Sequence, residues 1–430
     1  MARFPGGSSV HGVPLSTGLT SSVAVRFRRL RLRSERYRAD VAQLSPMRHA
    51  LFVALLFGAM GAATLAPAAL GILATFVIDD LEISRATLGW VVSTNVIMAA
   101  ALSPFAGSLT DRLGGKAAVI VVFGAAAAAF AVFGLTTAIV MLFVGSAIAA
   151  FSQAGGNPST NTLIGEVLPR GERGVVTGIK QSGVQAGIAI AGLTLPAMAL
   201  SLGWRQAMVI VAVGPLVAGI VAWAVVPKRT EHASPARDED ESMPSSIRWL
   251  AAFGLLFGFA GAVTFFLPLF AEEALGFDPR LAGAAAALGG VVAFAARILW
   301  ARRAEERDDY IGPLGSMAAL GVVAAVLFLL SPIFTPLVWA AVILTGMSTS
   351  AWNSVGMLAV INESGAPTGR ASGVVLLGFL LGLGLGPPLY GATVDATGSY
   401  DVMWILSMVA AALSFVLVLA WRRQPAEAPG

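Results

Sequence analysis

The chain has 430 residues, of which 57% are apolar and only 12% are charged, and its mean hydropathy is +0.79. Because soluble domains carry about 25% charged residues, this composition indicates a membrane protein. The sequence has no cysteine, which excludes disulfides and thiol chemistry, and its three histidines are too dispersed to form a metal site. We predict no cofactor and no metal, and the net charge of +4 is spread over loops, which argues against nucleic acid as a partner.

The first 46 residues are polar and contain seven closely spaced arginines between Arg26 and Arg38. We expect a disordered basic N-terminal tail over residues 1–46, or an extension upstream of a true start at Met47. An amphipathic surface helix and a targeting segment are the alternatives for this stretch.

Twelve long apolar segments follow, and a segment of about 18 residues or more is long enough to cross a bilayer as a helix. They lie near residues 49–77, 86–106, 116–136, 138–165, 173–200, 205–226, 248–271, 280–300, 311–331, 335–362, 369–393 and 402–421. The hydrophilic stretch 227–247 separates the sixth segment from the seventh and is predicted to be a linker. The sequence therefore predicts an all-α polytopic protein with six-helix bundles at 47–226 and 248–423 and a tail at 424–430.

Lysine and arginine are distributed unevenly between the loops. Without the tail, 14 of them lie on the side of the N-terminus, and only Arg85, Arg205 and Arg280 lie on the opposite side. Positive residues concentrate in cytoplasmic loops, so both termini are predicted to be cytoplasmic in a plasma (inner) membrane. We expect a monomer whose partners are the lipid bilayer and a small-molecule substrate.

A charged, glycine-rich segment joins the second and third spans, where its glycines are expected to permit a tight turn. It follows the pattern G-x-L-x-D-R-x-G-G-K, with Gly107, Asp111, Arg112, Gly115 and Lys116 at its defining positions. This pattern resembles the signature loop between the second and third helices of the major facilitator superfamily. The resemblance covers nearly all of residues 47–423 and implies a transporter with two six-helix halves that rock around a central site.

The same resemblance implies a conformational latch at the cytoplasmic end. Asp111 is expected to face the N-terminal end of the eleventh helix, where the helix dipole favours an anion. Arg112 is expected to pair with Glu166. These contacts would hold the cytoplasmic gate closed in the outward-open state.

The fifth and eleventh spans open with the same order of residues, and four glycines in one recur in the other at a constant offset of 199 residues. In each set an acid, a proline and an arginine precede four glycines whose spacings are 9, 4 and 5. We interpret this as an internal repeat whose glycines line the interface between the halves, although each glycine alone is also consistent with simple packing. The sets are Glu166, Pro169, Arg173, Gly174, Gly183, Gly187 and Gly192, and Glu363, Pro367, Arg370, Gly373, Gly382, Gly386 and Gly391.

Two cations, Lys180 and Arg297, fall within spans, whereas the acidic residues of the spans lie near their ends. An ionisable residue inside a membrane is costly enough to be a functional candidate. A cavity that contains these two cations without a carboxylate lacks negative charge, and an anionic substrate would supply it. The alternative is that each side chain extends to the cytoplasmic interface, because Lys180 lies only about 10 Å into its span and Arg297 is near the end of its own.

The segment Arg297-Ile298-Leu299-Trp300-Ala301 is similar to the eighth-span motif of oxalate/formate antiporters and monocarboxylate transporters. In those families an arginine four residues before the loop glycine binds the substrate carboxylate, but here Ala301 replaces that glycine. The antiporters also carry a lysine in the eleventh span. Lys180 occupies the pseudosymmetric position in the fifth span of this chain.

Polar side chains recur on single helix faces and predict the lining of a cavity. We expect these side chains to line a substrate-binding cavity, with Trp352 as an aromatic wall, although hydrogen bonds between helices would explain them equally well. The candidates are Gln153, Asn157 and Asn161 in the fourth span, Gln181 and Gln185 in the fifth, and Thr345, Thr349, Trp352 and Asn353 in the tenth.

The sequence thus favours a secondary transporter that moves a small, carboxylate-like organic anion by alternating access. Proton symport through the substrate and exchange for a counter-anion are both open, as are import and export. An efflux permease of the same fold for drug-like or neutral solutes is one alternative, and a non-transporting membrane sensor or receptor is another. No catalytic constellation or nucleotide-binding motif is present, so we do not predict an enzyme.

Overall fold

The computed structural model describes residues 46–168, 172–226, 245–363 and 368–423. The predicted N-terminal tail up to residue 45, most of the linker and the tail at 424–430 lie outside the described residues. The side chains of Asp111 and Arg370 also lie outside them, and the predicted domain limits stay predictions. The described residues from Ala50 onward form one compact unit.

The described residues form 15 α-helices and one 3₁₀ turn, with no strand among them. We call residues 46–226 the first half and residues 245–423 the second half. The first half contains α1 Pro46–Ile72, α2 Ala74–Leu81, α3 Arg85–Leu113, α4 Gly115–Gly134, α5 Ile139–Val167, α6 Arg173–Leu202 and α7 Trp204–Val225. The second half contains α8 Ser245–Gly261, the 3₁₀ turn Ala262–Phe265, α9 Leu267–Glu273, α10 Pro279–Arg307, α11 Ile311–Leu330, α12 Leu337–Met347, α13 Trp352–Glu363, α14 Thr368–Thr397 and α15 Asp401–Arg422.

The predicted all-α polytopic architecture is confirmed. Within the described ranges, 11 helical segments are long and apolar enough to cross a membrane. The tenth predicted span is divided into α12 and α13, each too short to count alone, and together they complete the twelve. We call the end where α3 meets α4 the inner end, and the end where α2 meets α3 the outer end.

Three spans that we predicted as continuous helices are interrupted. The first is interrupted at Leu73, between α1 and α2, and the seventh contains the 3₁₀ turn before α9. These two breaks meet at the outer end, where a Cβ added to Gly71 would contact the Phe265 carbonyl oxygen too closely to fit. Glycine is therefore required where the two interrupted helices cross.

The tenth span unwinds over residues 348–351, and Ser348 has φ −104° and ψ −104°. Its sequence there, Thr345-Gly346-Met347-Ser348-Thr349-Ser350, is rich in hydroxyls that compete with helical hydrogen bonds. The Ser348 hydroxyl donates to the Met317 carbonyl of α11 at 2.7 Å, outside its own helix. The Ser348 side chain thus ties the break to a neighbouring helix.

The glycine-rich turn is much shorter than we predicted. Helix α3 continues to Leu113 and α4 begins at Gly115, so that Gly114 alone, at φ +79°, makes the turn. Gly115 lies against Leu163 of α5, where a Cβ would not fit, whereas a Cβ on Gly107 would meet no neighbour. Close approach therefore explains Gly115 and does not explain Gly107.

The repeated glycines occupy equivalent contacts in the two halves. A Cβ on Gly183 of α6 would overlap the carbonyl of Phe57 in α1, and a Cβ on Gly382 of α14 would overlap that of Leu255 in α8. One turn further, Gly187 packs on Gly61. The first and fifth spans, and the seventh and eleventh, therefore pack backbone to backbone.

The last glycine of each set crosses to the other half. Gly192 of α6 lies against Gly283 and Ala287 of α10, and Gly391 of α14 lies against the Arg85 backbone of α3. The two halves therefore meet along two helix pairs, α6 with α10 and α14 with α3. These pairs enclose the space between the halves on opposite sides.

Candidate functional site: a cavity between the halves

A cavity of about 640 Å³ lies between the two halves and is lined by residues from both. Small-molecule sites typically occupy about 300–1,000 Å³, so this volume suits a small solute. Its polar lining residues from the first half are Thr64, Ser103, Gln153, Asn157, Asn161, Gln181 and Gln185, and those from the second half are Thr264, Arg297, Thr345, Thr349, Ser350, Asn353 and Ser372.

The outer end of the cavity is closed by polar contacts between the halves. The Arg85 guanidinium, at the start of α3, donates to both carboxylate oxygens of Glu273 in α9, at 2.7 and 2.9 Å. Asp395 of α14 accepts the backbone N–H groups of Arg85 and Ala86, at 3.2 and 2.8 Å, and so caps α3. The Tyr400 hydroxyl donates to Glu273 at 2.7 Å.

Apolar contacts continue this closure to about the middle of the helices. Val96 and Ala100 of α3 pack with Leu380 of α14 in one buried cluster. On the other side, Gly290 of α10 packs against the backbone of Gln185 in α6. The closed part of the interface therefore extends from the outer end to these residues.

The inner end is open. Helix α3 continues 13 residues beyond Ala100, and no described residue on this extension belongs to the buried cluster that joins α3 to α14. Ser103 on α3 and Ser372 on α14 line the cavity below the last contact between those helices. The structure therefore has the inward-facing shape, with the cavity reached from the inner end.

Arg297 lies in the cavity wall and does not extend to the inner interface. Its helix α10 continues to Arg307, ten residues further, so our prediction of a span that ends near residue 300 was too short. Ten residues correspond to roughly 15 Å of helix at about 1.5 Å per residue. The Arg297 Nε donates to the Ser350 carbonyl oxygen at 3.1 Å, which holds the guanidinium against the cavity.

The acceptor of Arg297 exists because the tenth span is unwound. Ser350 lies in the break between α12 and α13, where carbonyl groups are free of helical partners. Trp300 of α10 uses the same break and donates from Nε1 to the Met347 carbonyl oxygen at 2.8 Å. Irregular backbone within a membrane is tolerated where it lines a cavity, and this break meets that condition.

Lys180 is fully buried, with 0% exposure, and lies behind the cavity wall and not in it. Its Nζ donates to Asn161 Oδ1 at 2.5 Å, to Thr160 Oγ1 at 2.8 Å and to Asn157 Oδ1 at 3.4 Å. It therefore neither reaches the inner interface nor lines the space where a substrate would bind. We predicted that Lys180 contacts a substrate directly. In this conformation it instead contacts two residues that line the cavity.

The remaining predicted binding residues fall into two groups. Gln153, Asn157, Asn161, Gln181 and Gln185 all line the cavity from the first half, as their spacing predicted. Gln181 Nε2 donates to Asn157 Oδ1 at 2.9 Å, so this face of α5 is tied to α6.

In the second half, Asn353 and Trp352 also line the cavity. Trp352 is 1% exposed and packs with Phe253 and Phe379, at ring centroid distances of 6.1 and 4.9 Å. It therefore serves mainly as core in this conformation. The break at 348–351 means that Thr345, Thr349 and Asn353 do not share one continuous helix face, although all three reach the cavity.

Charge in the cavity is of one sign. Arg297 is the one ionisable residue among its described lining residues, and no aspartate or glutamate is among them. Lys180 adds a second positive charge directly behind the wall, also with neutral oxygens around it. Because a buried charge is costly without a partner, this region favours an anion.

Among the predicted gating residues, Arg173 has a defined role in packing. Its guanidinium donates to the carbonyl oxygens of Leu168 and Gly165, at 2.9 and 2.8 Å, and so caps the C-terminal end of α5. Arg112 is exposed at the end of α3. Since the inner end is open and the Asp111 side chain is not described, the proposed latch and the pairing of Arg112 with Glu166 stay predictions.

The contact network around Arg85 was not predicted. The sequence shows one arginine at the start of the second span and acids at the outer ends of the seventh and eleventh. Nothing in their spacing indicates that Arg85 meets residues 188 and 310 positions away. Burial, followed by the hydrogen bond to Glu273, raises the pKa of Tyr400 above its usual value, so its phenol stays protonated as a donor.

Glu272 is a second unpredicted feature of the outer end. Burial raises the pKa of its carboxyl to about 7, and the neighbouring charges of Glu273, Asp79 and Asp278 act in the same direction. Asp79 belongs to α2 of the first half, whereas Glu272 belongs to α9 of the second. Negative charge on Glu272 therefore opposes the closure of this end.

Two helical halves around a central cavity that is closed at one end are typical of transporters that work by alternating access. The family comparison agrees with this class. Residues 50–376 match the model of the Major Facilitator Superfamily, and the chain belongs to that family. It is accordingly a multi-pass membrane transporter and not an enzyme.

Similar curated proteins are all named as transporters. A "Probable sulfoacetate transporter" of Cupriavidus necator is 22% identical over 79% of this chain and 85% of its own length. A gentisate transporter of Corynebacterium glutamicum is 27% identical over 79% of this chain and 81% of its own. A hexuronate transporter of Bacillus subtilis is 27% identical over 39% of this chain and 40% of its own.

Solved structures support the fold alone, because their sequence identity is low. A bacterial homologue of the human lysosomal transporter Spinster, in an inward-facing and occupied conformation, superposes with a TM-score of 0.68 at 17% identity, over 88% of this chain and 96% of that one. A nucleoside transporter superposes with a TM-score of 0.66 at 17% identity, over 86% of this chain and 99% of that one.

Proposed function

We propose that this transporter is a secondary carrier of a small organic anion and that Arg297 binds the anionic group in the central cavity. The observation that carries the proposal is the charge of the cavity, where a guanidinium faces the open space and no described lining residue is acidic. Three relatives named for sulfoacetate, gentisate and hexuronate, all organic anions, support the same class of substrate.

The geometry around Arg297 suits this role. Its Nε is held by the Ser350 carbonyl, which leaves the terminal nitrogens of the guanidinium to bind a carboxylate or sulfonate as a planar fork. Residues 297–301 are similar to a motif of oxalate/formate antiporters and monocarboxylate transporters in which the arginine binds the substrate carboxylate, and this similarity supports the same role for Arg297. We do not extend it to membership of that branch, since the relatives identified by comparison carry other anions.

The orientation of the proposed carrier in the membrane follows from the charge of its loops. With 14 lysines and arginines on the inner side against three on the outer, we place the inner end in the cytoplasm of a cell with an inner membrane. The cavity then opens to the cytoplasm in this conformation. Coupling to protons carried by the substrate, or exchange for a second anion, fits a cavity without a carboxylate relay.

The test is a comparison of anion binding and transport by purified wild type and Arg297→Gln. We expect sulfoacetate, gentisate or glucuronate to raise the melting temperature of the wild type, because a ligand that binds the folded state stabilises it. Loss of the hydrogen bonds to a charged group should weaken binding by about tenfold to a hundredfold in Arg297→Gln. Uptake of the same anion into proteoliposomes should fall in parallel, and Arg297→Lys should be intermediate because it lacks the fork.

Arg302→Gln is the matched control, since Arg302 is an exposed arginine on the same helix outside the cavity. It should bind and transport like the wild type. Normal anion binding and uptake by Arg297→Gln would contradict the proposal. So would a wild type that no anion stabilises and a neutral solute does.

A further inference from the structure

The side chains around Lys180 share one property, which is that each presents an oxygen to the ammonium. The three atoms within hydrogen-bond reach of Nζ are the amide oxygens of Asn157 and Asn161 and the hydroxyl oxygen of Thr160. The Thr160 hydroxyl donates its own hydrogen to the Gly156 carbonyl at 2.6 Å. The ammonium therefore has three acceptors for its three donors and needs no further hydrogen-bond acceptor, although its charge is not neutralised.

This arrangement fixes the orientation of two amides. An amide nitrogen turned toward the ammonium would place donor against donor, so the oxygens of Asn157 and Asn161 must face Lys180. Gln181 strengthens the constraint on Asn157, because its Nε2 donates to the same Oδ1 at 2.9 Å. The Nδ2 groups are left on the opposite side of each amide.

That opposite side is the cavity. Asn157 and Asn161 both line it, and among the described residues no acceptor is bonded to either Nδ2. Lys180 itself is fully buried behind them and has no carboxylate among its described partners. The first half thus presents N–H donors to the cavity, with a positive charge behind them that increases their polarity.

We propose that Lys180 is a positioning residue that does not touch the substrate and that turns Asn157 and Asn161 into a fixed pair of N–H donors. With Arg297 on the second half, these donors form a site for an organic anion that has two acceptor ends. Arg297 binds one end, and the two asparagines bind the other, which is a second carboxylate or a sulfonate. The inference rests on the proposed function, because it assigns the second end of the anion that Arg297 binds.

A two-ended and a one-ended anion separate this role from simple stabilisation of the fold. Sulfoacetate carries a carboxylate and a sulfonate, whereas acetate carries a carboxylate alone. Two additional hydrogen bonds should give the wild type a preference for sulfoacetate of about thirtyfold, measured as the ratio of dissociation constants from thermal stabilisation. Lys180→Met should reduce that ratio to about threefold or less, since each freed amide can then turn either its oxygen or its nitrogen to the cavity.

Asn161→Asp is the second variant, and it keeps the buried ammonium paired. The new carboxylate would accept from Lys180, so the protein should be at least as stable to heat as the wild type. It replaces a donor in the cavity by a negative charge and should lose most of the preference for sulfoacetate. Ser182→Ala is the control, because Ser182 is two residues from Lys180, bonds to the Gly178 carbonyl of its own helix and should leave the ratio unchanged.

The outcomes separate the two proposals. If Lys180→Met and Asn161→Asp keep the wild-type ratio while Arg297→Gln loses anion binding, the positioning role is wrong and the proposed function stands. If Asn161→Asp is stable and has lost the ratio, the positioning role is supported even when Lys180→Met fails to fold. A wild type that binds neither anion, nor gentisate nor glucuronate, would overturn both.

Discussion

The two ends of the bundle differ in what joins the halves. At the outer end, Arg85, Glu273, Asp395 and Tyr400 form a polar network across the interface, and glycines allow the helices beneath it to touch. At the inner end, the corresponding parts of α3 and α14 line the cavity at Ser103 and Ser372. The difference indicates that this conformation is maintained by contacts far from the substrate site, at the end where the sequence shows no recognised motif.

The largest effect on this comparison is expected from Arg85→Ala. The variant removes the ion pairs with Glu273 and Asp395, and partly exposed pairs of this kind contribute about 0.2–1 kcal/mol each. We therefore expect the ratio of inward-facing to outward-facing molecules to fall by up to about thirtyfold. Because the chain has no cysteine, Ser103→Cys provides a clean reporter in the inner part of the cavity, and its rate of alkylation should fall.

The control for that experiment is Arg280→Ala in the same reporter background. Arg280 is exposed at the outer end, and no described acidic side chain forms an ion pair with it. Its loss should leave the rate of alkylation at Ser103→Cys unchanged. If both arginine variants give the rate of the parent, the network around Arg85 does not set the conformation.

A smaller effect is expected at the inner end from Asp111→Asn. If the signature motif closes this end when the cavity faces outward, loss of the charge should slow the return of the carrier and reduce uptake about threefold to tenfold. Anion binding by the inward-facing protein should be unaffected, which thermal stabilisation would measure. Wild-type uptake in a folded, inserted Asp111→Asn protein would remove the latch from the mechanism.

The smallest expected effect concerns pH and Glu272. The pKa of its carboxyl is about 7 in the closed outer end, above the ordinary value of about 4.5, so this state binds a proton more tightly than a state in which Glu272 is solvated. The closed outer end should therefore be favoured as the pH falls from about 7 toward 4.5. Above pH 7 the equilibrium between the closed and open outer end should no longer depend on pH through Glu272. Glu273 and Asp278 from the second half and Asp79 from the first are the acids that face this group.

The measurement is alkylation of Ser103→Cys at several pH values, corrected for thiol ionisation with a free thiol. We expect the inward-facing fraction to rise about twofold to threefold between pH 7.5 and 5.5, because Glu272 is only partly buried and solvent screens its charge. Glu272→Gln should flatten this response. Glu82→Gln, at an exposed acid of the same end, should retain it.

Much of the fold was predictable because hydrophobic length is a local property. A stretch of about 18 apolar residues spans a bilayer whatever its neighbours are, so eleven spans appear where the hydropathy places them. The interruptions at Leu73, residues 262–265 and 348–351 were missed, since each depends on a neighbouring helix. The Arg297 helix was also predicted too short, because hydropathy does not show that a helix continues from an apolar segment into charged, exposed residues.

The candidate site was predicted in part for the same reason. A spacing of four residues places Gln153, Asn157 and Asn161 on one face regardless of context, and that face does line the cavity. It was not predictable that one of the two cations lines the cavity and that the other is buried behind its wall. Lys180 and Arg297 look alike in the sequence, yet one is enclosed by oxygens of its own half and the other faces the open space.

The sequence by itself determined that this chain crosses a membrane many times, belongs with carriers built from two repeated halves, and carries two cations, Lys180 and Arg297, inside its spans. Only the tertiary structure decided that the outer end is closed, that Arg297 faces the cavity and that Lys180 lies behind two asparagines. The reason is physical. Burial in lipid is decided by each segment alone, whereas ion pairs and hydrogen-bond partners are decided by residues that folding brings together from up to 310 positions apart.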